Sequence, residues 1–448
     1  IPCNIDSRTC SLAASCLSMT PLRLATSVSL VLATLVAPAD AQFPVVDYII
    51  QNFRFLPNAS FSAGDAGGRK HTFEKGSLKM DTPIVMASSS KFPAAFAIAH
   101  VVHEGHLSFD TKVHDVFSWW TKSDQDPRSY VTLRHLLTFT SGLVSSDFSG
   151  GGMNCLIGDN ATSYKPEACA KEIYEHAASQ PGAYWTAPGT IWSYHSMHLQ
   201  IAGAMAAKAV KMSVPAMLRK YLVEAVGMKN TQWFGAPNPH LAAAMVTTGD
   251  DYDKLLQTVL TYKVLPKAIV DEMEVDAYRT YKGLKPSQYP KDVGLGFYGH
   301  YSMCTYFECV GQPWSETCEK NGVHADPGAF GYWPLINREK GYYMNLVVFR
   351  PVSFNDTFME KYHIPQDTLA ALPGHCVSPL RFGIQSFVEK ALHKGNVNDM
   401  GQLDELEAAR KILSGSWPDN MAPPIDPLDW LCKVATDEVP PSINAEGN

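Results

Sequence analysis

The chain has 448 residues, 46% of them hydrophobic and 18% charged, which excludes a disordered, collagenous or coiled-coil polypeptide. Acidic residues outnumber basic ones, 44 to 37, for a net charge of −7, and no basic stripe runs along the chain, so a nucleic-acid partner is excluded. The first 18 residues carry Cys3, Cys10 and Cys16 without any hydrophobic period. From Met19 the pattern changes. Arg23 precedes an apolar stretch from Leu24 to Val36, and Ala39-Asp40-Ala41 supplies the small-x-small site at which a secretory leader is cut. The stretch is shorter than the roughly 20 apolar residues of a membrane span. The expectation is a secreted, extracellular protein with no stable membrane insertion. Residues 1–41 would be its leader, an 18-residue extension plus a signal peptide at Met19–Ala41. Residues 42–394 would be the working domain and 395–448 a C-terminal tail. Sequons at Asn58, Asn160 and Asn355 fit a glycoprotein of that compartment.

After Gln42 a short amphipathic helix is expected over Phe43 to Asn52, then strands around Phe61–Ala63 and His71–Leu78 joined by a turn at Gly64–Gly68. A long helix from about Ser89 to Glu104 is stopped by Gly105. Helices alternate with loops from Thr132 to Val226, including Ser196–Val210 and Val214–Ala225. Gly294–Ser302, Ala329–Ile336 and Tyr342–Arg350 read as strands, the last two joined by a hairpin turn at residues 337–341. Leu380–His393 is a final amphipathic helix, and one charged helix (Gln402–Leu413) lies in the Pro-rich tail. Strands at both ends with helices between them imply an α+β fold, one sheet built from the chain's extremities around a helical insertion. Seven cysteines follow the leader: 155, 169, 304, 309, 318, 376 and 432. Disulfides are expected, at least one thiol is left over, and the spacings fit no structural metal.

The chemistry begins at Ser88-Ser89-Ser90-Lys91, an S-x-x-K motif that ends an apolar approach and opens the long helix. At i, i+3 the lysine lies one turn from the serine on the same helical face. A serine hydroxyl needs a base beside it, and a desolvated lysine amine can serve. With its flanks, Asp81-Thr82-Pro83 before and Glu104–Asp110 after, this segment resembles the first signature of the serine β-lactamase and penicillin-binding-protein superfamily. Val131-Thr132-Leu133-Arg134-His135-Leu136-Leu137-Thr138-Phe139-Thr140-Ser141-Gly142-Leu143 is similar to the second landmark, with Phe139 where His is usual. The resemblance is to the branch that holds class C β-lactamases, DD-peptidases and family VIII esterases, and it spans roughly residues 43–350.

The resemblance implies a β-lactamase/transpeptidase-like fold, an antiparallel sheet flanked by helices with a helical subdomain, and a site between them. Ser88 would be the nucleophile and Lys91 and Tyr194 would move its proton. Tyr194 matches the Tyr of a Tyr-x-Asn motif in which Ser196 replaces the Asn. The fourth motif, Lys-Thr-Gly or His-x-Gly, falls in His324-Ala325-Asp326-Pro327-Gly328-Ala329. In register with the following strand, Asp326-Pro327-Gly328 fills the slot, with His324 two positions away as the other occupant. The Ala329 and Ser88 N–H groups would form the oxyanion hole. Without a cation to bind a substrate carboxylate, neutral esters or amides become the expected small-molecule substrates, turned over through a Ser88 acyl-enzyme. No metal or organic cofactor is implied. Two alternatives stand beside this reading: a β-lactamase or D-Ala-D-Ala-type peptidase, and a non-catalytic β-lactamase-like binding protein. No G-x-S-x-G occurs for an α/β-hydrolase. His103-Glu104-Gly105-His106 is one residue short of a metalloprotease H-E-x-x-H, and His100, His103 and His106 read as surface or hydrogen-bonded histidines.

Overall fold

The computed structural model describes residues 43–53, 56–145, 153–157, 161–180, 182–286, 300–308, 322–351, 380–381, 383–392 and 413. Two compact units divide at residue 44, Ile1–Pro44 and Val45–Asn448. Apart from Phe43 and Pro44, every described residue belongs to the second. The leader, the sequons at 160 and 355, four of the cysteines and most of the tail lie outside the described residues.

The sheet does draw on both ends of the chain. Its strands are β1 (Ala59–Asp65), β2 (Gly68–Lys75), β3 (Tyr306–Phe307), β4 (Val323–Ala325), β5 (Trp333–Asn337) and β6 (Tyr342–Val347), in the order β3-β4-β5-β6-β1-β2. Every pairing is antiparallel, and β6 joins β1 with Phe61 opposite Leu346. Strand β1 is buried along almost its whole length, whereas β2 alternates between half-buried and exposed residues. Its outward side chains include Lys70, and a charged edge discourages pairing with another chain. Two serines on buried β1 are satisfied internally. Ser60 Oγ donates to the Leu78 carbonyl at 2.7 Å, and Ser62 Oγ donates to the Asp253 carboxylate, which Arg69 and Asn345 also reach.

Asp253 sits on the helix Gly249–Thr261, which packs against β1, β5 and β6. Behind it run two helices without a polar face, α1 (Lys91–His103) and α2 (Met197–Ala209). Ten of the 13 residues of α1 are buried, and both helices are rich in alanine, so their backbones approach closely. Such helices belong in a core rather than at a surface. Helix α1 stops as expected: Glu104 caps it and Gly105 follows with φ +80°.

Three expectations are corrected. The strand read from Ala329 begins at Trp333, because Pro327, Gly328 and a positive-φ Gly331 keep the preceding residues in a turn. Strand β4 gave no periodic signal because it is only three residues long. The helix read over Val214–Ala225 is α-helical only to Leu218 and continues as a π-helical segment, Arg219–Glu224. Within the segment read as a strand over 294–302, Ser302 lies outside any strand, and residues 294–299 are not described.

Cys155 is bonded to Cys169, tying the short helix Asn154–Ile157 to the helix Pro166–His176, and both sulfurs are buried. A cross-link closing a loop of about 15 residues is worth about 3 kcal/mol. Replacing both cysteines by alanine should lower the unfolding free energy by about that amount, read from urea titration. An unchanged midpoint would show that the cross-link constrains nothing.

Candidate active site

The nucleophile turn is built under strain. Ala87 has φ +47°, in a region that L-residues rarely enter, and it starts a 3-10 turn, Ala87–Ser90, that runs straight into α1. Two anchors hold the turn from the outside: Ile84 pairs with Thr247, and the Met86 N–H donates to the Met245 carbonyl at 2.9 Å. The three serines then have separate fates. Ser89 Oγ donates to the Asp326 carbonyl at 2.5 Å, and Ser90 Oγ donates to the Ala87 carbonyl at 2.6 Å; both residues are buried. Ser88 is partly open, and its hydroxyl lies 2.9 Å from Lys91 Nζ.

Lys91 is 2% exposed. Its Nζ also donates to the Ala242 carbonyl at 3.1 Å and stands 4.7 Å from the centre of the Tyr194 ring. Burial pushes its amine down from the usual lysine value to about 8, against the opposing pull of Asp326. Tyr194 follows the strand Ile191–Trp192 and precedes α2. Its phenol lies beside Ser88, its ring is stacked on Tyr306, and burial raises its proton affinity well above that of a free tyrosine. Ser88, Lys91 and Tyr194 thus form one cluster, with an amine able to accept a proton and a phenol that carries one.

The loop behind Tyr194 is set by the second landmark. A short helix, Leu133–Leu137, opens with a Thr132–His135 capping box, and the chain then turns through Phe139 at φ +59°. Residues 139–142 are pinned to the approach to Tyr194 by backbone bonds from Ser193 to Phe139, Gly189 to Thr140 and Thr186 to Gly142. Ser196 is buried at the N-terminus of α2, where its carbonyl accepts from the Gln200 N–H.

The end of β4 closes the site from the sheet side. A Cβ on Gly328 would lie 2.3 Å from the Met86 carbonyl oxygen, so this glycine lies flat on the nucleophile turn. Among the described residues the Ala329 N–H donates to no backbone carbonyl, and Ser88 lies in a first helical turn, where N–H groups have no acceptor within the helix. These are the two donors assigned to an oxyanion hole. His324 and Asp326 have other engagements. His324 is buried on β4 against Phe307, 3.4 Å from Thr305 Oγ1 and 3.8 Å from the Glu274 carboxylate that Arg338 also binds. Asp326 turns its carboxylate to the start of α1, where Oδ2 accepts the Phe92 N–H at 2.8 Å.

Several neighbours carry no motif and escaped the sequence reading. Tyr301 and Tyr306 join Phe139, Trp192 and Tyr194 in an aromatic wall. Cys304, a buried free thiol at φ +62°, lies close enough to influence both Lys91 and Tyr194. His240 sits beside Lys91, and burial together with that amine lowers its affinity for a proton to about 4. None of these has a fixed spacing from Ser88. Of the three histidines on α1 and just after it, His100 bonds the Tyr221 carbonyl and His106 lies 3.3 Å from Glu104.

The Beta-lactamase family profile matches residues 52–301. Among solved structures, a beta-lactamase-type protein from Bacteroides dorei shares 22% identity at a TM-score of 0.56, covering 68% of this chain and 90% of its own. EstCE1, described as a hydrolase with promiscuous acyltransferase activity, shares 15% identity at a TM-score of 0.56, covering 76% and 99%. Unliganded simvastatin synthase from Aspergillus terreus shares 16% identity at a TM-score of 0.51, covering 76% and 98%. No curated protein sequence matches the chain.

The close approach of Gly328 makes a direct test. In Gly328→Ala the strand end must lift from the Met86 carbonyl, carrying Ala329 with it. Misplacing a reacting geometry by about 1 Å costs on the order of 10² in rate. Labelling by a fluorophosphonate should therefore slow about 10²-fold while far-UV circular dichroism stays the same; unaltered labelling would separate this strand end from the site.

Proposed function

The chain belongs to the Beta-lactamase family, and from that premise we propose that it is a secreted serine hydrolase that opens neutral acyl esters through a Ser88 acyl-enzyme. The observation that carries the reading is the 2.9 Å contact between Ser88 Oγ and the buried amine of Lys91. In its neutral form that amine takes the hydroxyl proton as Oγ attacks the ester carbonyl. Negative charge gathers on the carbonyl oxygen, opposite the Ser88 and Ala329 N–H groups. Tyr194, whose phenol lies beside Ser88, hands a proton to the departing alkoxide, and the Lys91 ammonium returns one to the resulting phenolate. In the second half, water attacks the acyl-enzyme with the neutral Lys91 amine as base, the acid leaves, and the proton returns from Lys91 to Ser88.

The preference for esters over β-lactams is supported by the surroundings of the fourth motif. Of the two candidates for the slot, Asp326 turns its carboxylate to the Phe92 N–H and His324 is buried against Glu274. A charged hydrogen bond to a substrate carboxylate contributes about 1.5–3 kcal/mol, and neither residue is disposed to give it. The likeness to EstCE1 and to simvastatin synthase adds support. The leader read at Met19–Ala41 carries the proposal of secretion, and the Cys155–Cys169 bond supports an oxidising compartment.

Ser88→Ala should abolish hydrolysis of p-nitrophenyl butyrate and leave the fold intact, whereas Ser89→Ala should be far milder. Lys91→Ala and Tyr194→Phe should each cost on the order of 10² or more in kcat. Equal losses from Ser88→Ala and Ser89→Ala would mean that the wrong serine has been chosen.

The acid limb of the pH profile follows from Lys91. Only the neutral amine accepts the Ser88 proton, so kcat/KM should climb tenfold per pH unit at low pH and level off above about 8. A profile that falls through that range would exclude Lys91 as the base.

On substrate choice, wild-type enzyme should turn over p-nitrophenyl butyrate at least about tenfold better than nitrocefin in kcat/KM, the factor that about 1.4 kcal/mol supplies. A preference for nitrocefin would end the esterase reading.

A further inference from the structure

Asp326 takes no part in the proton transfers above, yet it touches the machinery at two points, and its neighbour Gly328 at a third. Its Oδ2 accepts the Phe92 N–H at 2.8 Å, its carbonyl accepts from Ser89 Oγ at 2.5 Å, and Gly328, two residues on, lies against the Met86 carbonyl. The side chain is 2% exposed, and Oδ1 has no hydrogen-bond partner among the described residues. Phe92 follows Lys91 in the first turn of α1, so the carboxylate stands at the positive end of a 13-residue helix, over the turn that carries the reacting pair.

A buried carboxylate without a cation would be costly there. The titratable groups that feel it are Lys91 from α1, Tyr194 from the approach to α2, Tyr252 from Gly249–Thr261, and Cys304, Tyr301 and Tyr306 from the segment before β4. All but Lys91 are acids that burial keeps neutral. His240 faces Lys91 from its own loop and is likewise kept neutral.

We propose that Asp326 is a positioning residue for the Ser88–Lys91 pair: through Phe92 and Ser89 it fixes the turn that aims the amine at the hydroxyl, and its carboxylate sets the field in which that amine gains and loses its proton. The proposal rests on the assignment of Ser88 and Lys91 made above. It separates two roles that a single buried carboxylate combines. Asparagine at this position keeps an oxygen to accept the Phe92 N–H but carries no charge. A residue that only clamps the helix would be replaced by asparagine without effect on the amine.

The test compares wild type and Asp326→Asn in the rate of Ser88 labelling by a fluorophosphonate between about pH 5 and pH 10. Losing the negative charge weakens the hold on the lysine proton, so the acid limb should move to lower pH by about one unit, with near-UV circular dichroism preserved. Superimposable limbs overturn the proposal. Wild-type protein that takes no label strikes at the assignment of Ser88 instead, and a measurement without chemistry then decides about Asp326.

That measurement is the thermal midpoint of Lys91→Met against pH. A buried carboxylate deprived of its amine has a folded-state pKa above its unfolded one, and stability is then lost as pH rises from the unfolded value toward the folded one. In wild type burial already raises the Asp326 pKa, and the Phe92 N–H and the Lys91 amine each oppose that rise in part. Lys91→Met should therefore lose stability with rising pH more steeply than wild type, and adding Asp326→Asn should flatten the dependence. Parallel slopes in Lys91→Met and wild type overturn the proposal, whether or not Asp326→Asn folds by itself.

Discussion

A lysine amine held out of water beside a serine is the constraint from which the rest of the site follows. A solvated lysine stays protonated at neutral pH and cannot accept a proton from a hydroxyl. Moving its pKa from 10.5 to about 8 means disfavouring the charged form by about 3 kcal/mol, and only burial on all sides does that. This is why α1 has no polar face: a helix whose first residue must be dry has to lie in the core from its first turn. The residual needs of the ammonium are met by few groups, the Ala242 carbonyl, the Ser88 hydroxyl and the face of the Tyr194 ring. Each can hold the charged amine for a time without fixing the proton on it.

Burying that helix from every side requires walls drawn from distant parts of the chain. Residues 84–91 bring the nucleophile, 194 the phenol, 240–242 the carbonyl and 326–329 the turn at the end of β4. The topology supplies them because β6 pairs with β1, closing one sheet from both ends of the chain around the helical insertion. The strand order also places the end of β4 against the start of α1, where Gly328 and Ser89 make the contact. Sheet and helices are thus joined at the reacting atoms, and any shift of one against the other is felt by Ser88.

How much of this the sequence reveals depends on whether a feature is local. The S-x-x-K motif, Tyr194 and the stretch Val131–Leu143 are short and have fixed spacing, and the structure hydrogen-bonds Lys91 to Ser88 and sets Tyr194 beside them. The division into terminal strands and central helices was equally legible, because hydrophobic period and turn residues encode it within each segment. What stayed hidden is set by partners far along the chain. Tyr301, Tyr306, Cys304 and His240 have no motif, and nothing in their own neighbourhood marks them as site residues. His324 and Asp326 were legible as members of a motif but not in their engagements. Glu274 and Arg338 meet the first, and the Phe92 N–H meets the second.

Backbone strain shows the same division between local and distant causes. Among the described residues, five that are not glycine have positive φ, and three of them, Ala87, Phe139 and Cys304, border the site. Such a conformation costs on the order of 1 kcal/mol and persists only where its surroundings over-determine it. At Ala87 the turn is trapped between the Met245 carbonyl and Gly328. At Phe139 the ring is stacked on His198 at 5.0 Å and 13°, and His198 lies in turn on His195 at 3.8 Å. His198 receives Ser141 Oγ on Nδ1 and gives its Nε2 proton to the Ser193 carbonyl, while His195 Nε2 donates to the Leu143 carbonyl. The stack therefore ties the loop at 139–143 to the segment that presents Tyr194. Phe139 stands where the related motif carries His, and the imidazoles in this stack come instead from 195 and 198. The loop's anchoring does not depend on which residue at 139 supplies the flat ring, only on a neutral stack filling the space behind Tyr194. A charged ring there would lie in the core without a counter-charge, so the burial that keeps Lys91 able to shed its proton also keeps His198 from taking one.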